Sequence, residues 1–270
     1  MKNIAVILGY TPTLYIDDGH GMETPGKRTP TMPDGSVIKE NEFNRPTADK
    51  LEALAKAVGF RVVQSAPEIS EPGLTARTSR INADYAAQRK LYPKVPWDKL
   101  AVGASIHFNA FDGVMDSKGR KGGVDVFYHA TSEPGKQLAT LVLKNLMAGT
   151  QQANRGINGA NLHMTRETDP VFILCECGFM DVLKEAQLMK KEAFQLECAT
   201  EILAGVCEYY GQDLADLTAA DPDPIDTPST WAKTAWTKAA AKGVLDGKNP
   251  QGPFTREQMA VVLDRLGLLD

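Results

Sequence analysis

Thr47-Ala48-Asp49-Lys50-Leu51-Glu52-Ala53-Leu54-Ala55-Lys56-Ala57-Val58-Gly59-Phe60-Arg61-Val62-Val63-Gln64-Ser65 holds two periodicities in succession. Ala48, Leu51, Leu54, Ala55 and Val58 share one helical face, and Gly59 supplies a C-terminal stop. The β-branched run that follows reads as a strand. The same unit recurs along the chain. Strands are expected at residues 14–17, 60–65, 101–106, 124–128 and 171–176, and helices at 47–58, 74–89, 135–148, 182–190 and 194–210. Strands joined by helices predict an α/β fold: a mostly parallel, twisted sheet flanked by helices on both faces.

This catalytic-sized domain is expected over residues 1–211 of the 270. A linker is expected at 212–228, where Asp221-Pro222-Asp223-Pro224 and Pro228 offer little to bury and disfavour helix. Residues 229–270 read as a small C-terminal helical module. Trp231, Ala235, Trp236 and Ala239 share a face, and Thr255-Arg256-Glu257-Gln258 forms a capping box ahead of Met259, Val262 and Leu263.

A net charge of -4 argues against nucleic acid as a partner, because counterion release needs a clustered basic surface. The four cysteines, Cys175, Cys177, Cys198 and Cys207, lack paired zinc-site spacing and read as reduced, buried thiols. No apolar stretch is long enough to insert in a membrane. The apolar run at residues 4–8 is too short for a signal-peptide core, so synthesis in a cytoplasm without a signal peptide is expected.

In open parallel sheets, ligands sit beyond the carboxyl ends of the strands, so polar residues ending apolar runs carry the chemistry. His20 lies in Asp17-Asp18-Gly19-His20-Gly21, His107 in Ser105-Ile106-His107-Phe108-Asn109, and Glu176 in Leu174-Cys175-Glu176-Cys177-Gly178. A lone histidine is more often structural, but two at matching strand ends point to catalytic zinc, for which His₂Glu is a recurring ligand set. Glu40 or Glu42, just ahead of the first helix, offers the carboxylate. Glu176, an acid within an apolar strand, is the expected general base.

These segments, with Glu40-Asn41-Glu42-Phe43-Asn44, resemble the motifs of the zinc N-acetylmuramoyl-L-alanine amidases found among autolysins and phage endolysins, in order over residues 14–210. Leu74, Arg77 and Asn82 resemble that family's Leu-x-x-Arg helix, and Arg155-Gly156-Ile157 its Arg-Gly-Val turn. The resemblance implies that His20, Glu40 and His107 hold Zn2+. It selects Glu40 over Glu42 because Glu40 stands four residues before Asn44. The family usually has Pro where Asp18 stands. His129 and His163 fall outside the implied ligand set, as residues that could rim the site or meet substrate.

The implied function is a peptidoglycan hydrolase. It would cleave the amide between N-acetylmuramic acid and the stem peptide's L-alanine, as a phage endolysin acting on the wall after release from the host cytoplasm. A zinc peptidase within the stem peptide and a catalytically inactive wall-binding protein are the alternatives. Trp231-Ala232, Gly243-Val244-Leu245-Asp246-Gly247 and Thr255-Arg256-Glu257 resemble one S-layer homology motif. That likeness implies binding of a secondary cell-wall polymer. A single copy of such size is also expected to dock or to self-associate as a homo-oligomer.

Overall fold

The computed structural model describes residues 2–219, 228–229, 232–248 and 256–268. It divides into two units, Lys2–Thr218 and Ala219–Asp270. The first unit runs α1 (Ile4–Leu8), β1 (Thr13–Asp17), α2 (Asn41–Ala57), β2 (Arg61–Gln64), α3 (Leu74–Leu91), α4 (Trp97–Leu100), β3 (Ala101–Asn109), β4 (Val124–His129), α5 (Glu133–Leu146), β5 (Asn154–Ala160), α6 (His163–Glu167), β6 (Val171–Phe179), α7 (Leu183–Ala186), α8 (Glu192–Tyr209) and α9 (Leu214–Thr218).

Six strands form one sheet in the order β2-β1-β3-β6-β4-β5. Every neighbouring pair is parallel except β4 with β6. The exception follows from the connection: residues 110–123 lack an α-helix that would carry the chain back across the sheet. β4 therefore starts from the end where β3 finishes, and runs antiparallel beside β6.

All five β1 residues are buried, as expected for a strand covered on both faces. Alternation divides them: Leu14 and Ile16 pack with α2, α5 and α8, while Tyr15 packs with Ile81 and Tyr85 of α3 and Met164 of α6. Cys175 and Cys177 join the first of these cores, and all four cysteines are free and buried. The core thus sits as two apolar layers around the sheet, and the polar residues of interest collect beyond its carboxyl edge.

Three sequence expectations for this unit change. α2 starts at Asn41 rather than Thr47 and contains Pro46. The amide N–H that proline lacks leaves the Glu42 carbonyl to a side chain instead, Gln195 Nε2 at 3.5 Å. Arg155-Gly156-Ile157 lies in edge strand β5, not in a turn, and Gly156 takes a positive φ of 89° within it. The helix expected at 182–190 reduces to Leu183–Ala186. Beyond it the chain tightens into turns, with Leu188 N–H donating to Glu185 O and Lys191 N–H to Leu188 O.

The second unit contains α10 (Lys233–Ala241) and α11 (Arg256–Arg265). Arg265 Nη1 donates to the carbonyls of Gly243 (2.9 Å) and Val244 (3.2 Å), tying α11 to the turn after α10. Val262 and Leu263 are half-buried, whereas Met259, expected inward, is exposed. Trp231, Thr255 and the proline-rich residues 220–227 lie outside the described residues.

Candidate active site

β1 ends at Asp17, and Asp18-Gly19-His20 turns across its carboxyl end. Gly19 and His20 both have positive φ, 31° and 61°. Non-glycine residues seldom hold this conformation unless the surroundings enforce it. Here Asn41 Nδ2 donates to the carbonyls of Asp18 (3.0 Å) and His20 (2.9 Å), and Asn44 Nδ2 donates to that of Gly19 (2.9 Å). The glycine has a second cause: a Cβ at position 19 would sit 2.5 Å from His107 Cε1.

Arg77 of α3 clamps the turn from beneath. It is buried, with Nη1 at 2.7 Å from Asp17 Oδ1 and 2.9 Å from Asp18 Oδ1, and Nη2 donating to His20 O at 3.0 Å. Asp18 also meets Arg45 Nε at 2.8 Å. Arg77→Met should leave the buried Asp17 carboxylate without its cation and Asp18 with Arg45 alone, and lower unfolding stability by about 3–5 kcal/mol, measured by urea denaturation. A loss under about 1 kcal/mol, the range of an exposed pair, would contradict that reading.

Glu40 stands at the start of α2, 1% exposed. Its Oε1 accepts from Phe108 N–H at 3.1 Å and lies 3.0 Å from His107 Nδ1. Its Oε2 is buried without a hydrogen-bond partner and lies 3.5 Å from His20 Nε2. The two imidazoles meet edge to face with centroids 4.9 Å apart. One ligand atom from each of His20, Glu40 and His107 falls within 4.8 Å of the others, so the trio could hold a metal ion. Glu42 points elsewhere, to Lys190 Nζ at 3.2 Å and Lys39 N–H at 2.7 Å.

The electrostatics suit ligation. Burial, only partly opposed by Glu40, pushes the His20 imidazole down to about 4, leaving it neutral at pH 7. Burial alone would raise Glu40, but the hydrogen bond and charge of His107 and the charge of His20 pull it down to about 2. A neutral His20 and an ionised Glu40 suit a divalent cation, whereas burial of His107 is outweighed by the hydrogen bond and charge of Glu40, which raise its pKa, so a cation bound there displaces a proton. The orphaned Glu40 oxygen between two imidazoles therefore fits a nitrogen- and oxygen-ligated ion such as zinc.

Glu176 lies on β6 opposite His107 of β3 and Asp125 of β4. Burial pushes its carboxyl up to about 8, with Glu40 and Asp125 adding to the rise and His107 opposing it. Its Oε2 is buried and unpartnered. A cleft of about 260 Å³ opens here, with Lys27, Glu40, His107, Asn109, Glu176 and Met180 among its lining. A carboxyl raised to about 8 beside a metal-type trio could exchange a proton with a group bound in the cleft near neutral pH.

The N-acetylmuramoyl-L-alanine amidase family model matches residues 14–208. The chain belongs to that family. A solved N-acetylmuramoyl-L-alanine amidase from Clostridium difficile 630 is 27% identical, with a TM-score of 0.61 over 74% of this chain and 97% of that one. The catalytic domain of CwlV, from Bacillus (Paenibacillus) polymyxa, is 25% identical with a TM-score of 0.60, over 74% of this chain and 99% of that domain. AmiC of Neisseria meningitidis is 25% identical over 74% of this chain, and the match spans 53% of AmiC.

Within this amidase-family chain, the remaining histidines stand apart from the trio. His129 ends β4 with Nδ1 3.0 Å from Thr131 Oγ1, and His163 starts α6 with Nε2 3.4 Å from Thr78 Oγ1. Asn41 and Asn44 were not singled out by the sequence reading as turn-holding residues, nor were Asp17 and Ser105 as neighbours of His107. Both asparagines lie in the Glu40–Asn44 motif, but they precede the helix start expected at Thr47, and nothing in that motif shows that their side chains hold the turn at residues 18–20. Asp18, where the family usually has Pro, is accommodated by Arg77 and Arg45.

Proposed function

We propose that this chain is a zinc-dependent N-acetylmuramoyl-L-alanine amidase, cutting the amide between N-acetylmuramic acid and the L-alanine of peptidoglycan. The convergence of His20, Glu40 and His107, the last two sharing a cleft with Glu176, carries this reading. Zinc held by the trio would supply Lewis acidity, polarising the scissile carbonyl and easing deprotonation of water. Glu176 takes the proton from the attacking water on a carboxylate oxygen, then delivers it to the departing L-alanine nitrogen. The same carboxyl serves both transfers, so no covalent link to the protein is needed. Lys27 on the cleft wall adds a positive charge that acts on both Glu40 and Glu176.

Purified Gram-positive walls digested with the protein should yield intact stem peptides with free L-alanine amino termini, and muramic acid with free lactyl carboxyls. Cuts inside the stem peptide, seen by mass spectrometry, would make it a zinc peptidase instead. An absence of any product with zinc present would leave a wall-binding protein.

The proposal extends to the origin and the C-terminal unit. Phage origin is proposed on the likeness to phage endolysin motifs alone, and a holin gene beside this one is the observation that checks it. For residues 229–270 we propose binding to a secondary wall polymer, with self-association through the same unit. The intact chain is expected to have a larger oligomeric mass in solution than a chain ending at Thr218; equal oligomeric states would remove the assembly role.

A further inference from the structure

Asp17 and Ser105 occupy paired register positions on parallel strands β1 and β3, and the period of two puts Ser105 and His107 on one face of β3. Asp17 is 1% exposed and Ser105 fully buried. Asp17 Oδ1 accepts from Arg77 Nη1 at 2.7 Å and from Ser65 Oγ, while its Oδ2 accepts from Ser105 Oγ. Ser105 has one hydroxyl proton, and the Asp17 carboxylate takes it. What Ser105 can offer His107 Nε2, 3.0 Å away, is a lone pair.

We propose that Asp17 and Ser105 form a buried relay that fixes the His107 tautomer. With the metal bound, Nε2 keeps its proton and donates to Ser105, while Nδ1, which in the metal-free protein donates to Glu40 Oε1 at 3.0 Å, gives up its proton and turns its lone pair to the ion. Ser105 is then a positioning residue of the metal centre, acting through His107. The inference rests on the metal reading above and deepens it by stating which nitrogen binds and what holds it there.

The chemistry supports this assignment over the reverse. A neutral imidazole donates from one nitrogen and offers a lone pair from the other, and the hydrogen bond at one decides the role of the other. Were Nε2 the free nitrogen, its lone pair would face a serine oxygen whose only proton is committed elsewhere. Two lone pairs would then meet at a fully buried serine that no water reaches to separate them. Glu40 Oε1, 3.0 Å from Nδ1, marks the side from which a cation is shared. Gly19 keeps that ring in place, since any Cβ there would lie within 2.6 Å of His107 Nε2.

The test uses the full-length protein and zinc itself. Chelator competition should show Ser105→Ala binding zinc about 10- to 100-fold more weakly than wild type, the usual effect of losing a partner of a ligating histidine. Ser105→Thr, which keeps the hydroxyl, should recover most of the loss. Equal zinc affinity of wild type and Ser105→Ala overturns the relay alone, while a wild type that binds no zinc overturns the metal reading with it. Should Ser105→Ala fail to fold, nitrogen-15 NMR of the zinc-loaded wild type decides. A His107 proton on Nε2 supports the relay, and a proton on Nδ1 overturns it.

Discussion

Glu176→Gln is expected to lower amide hydrolysis by about 10²- to 10⁴-fold, the range associated with a positioned general acid–base, while zinc content stays at that of wild type. The substitution keeps the shape of the side chain and removes its ability to take a proton. Glu176 is not among the three side chains that could hold the ion, so the metal should remain. Activity on purified wall, paired with metal analysis, reads both quantities. Full activity would place the proton acceptor elsewhere; loss of both activity and metal would make Glu176 a ligand.

The same variant carries a pH signature in the metal-free protein. The folded Glu176 carboxyl sits near 8 because burial disfavours its charge, against an ordinary value of 4.5. Its favourable contribution to folding is complete below the ordinary value and is lost as pH rises through about 8. Metal-free Glu176→Gln should therefore lose less stability than metal-free wild type between pH 5 and 8 in urea unfolding. A bound cation would favour the charged carboxylate and reduce this difference.

The second large effect is expected from the ligands. His20→Ala and His107→Ala should each lose zinc and lytic activity together, and a chelator should do the same to wild type, reversed by added zinc. Both imidazoles lie against Glu40, whose Oε2 is buried without a hydrogen-bond partner. Removing either nitrogen reduces the protein donors from three to two, below the number a catalytic zinc ordinarily uses. Retained zinc at wild-type stoichiometry in either variant would remove that histidine from the ligand set.

The central sheet was readable because its strands are short apolar runs separated by helices with a clear apolar face, as at Leu51 and Leu54 before Val62 and Val63. His20, His107 and Glu176 were readable for a related reason: each is a polar group terminating or interrupting such a run. Edge strand β5 was not, since Asn154–Ala160 contains no apolar run and is largely open to solvent on one side. The start of α2 was hidden by Pro46, whose lost hydrogen bond is compensated from distant Gln195. Pairings such as Asp17 with Ser105 depend on register between strands far apart in sequence, which no local pattern encodes. The reversal of β4 likewise depends on how residues 110–123 cross the sheet's edge.

Zinc-edge anomalous diffraction from crystals of the full-length protein is the most direct test of the metal centre. A single strong peak is expected among His20, Glu40 and His107, next to Glu176. A peak bound by other side chains, or no peak in zinc-soaked crystals with those three residues ordered, would contradict it.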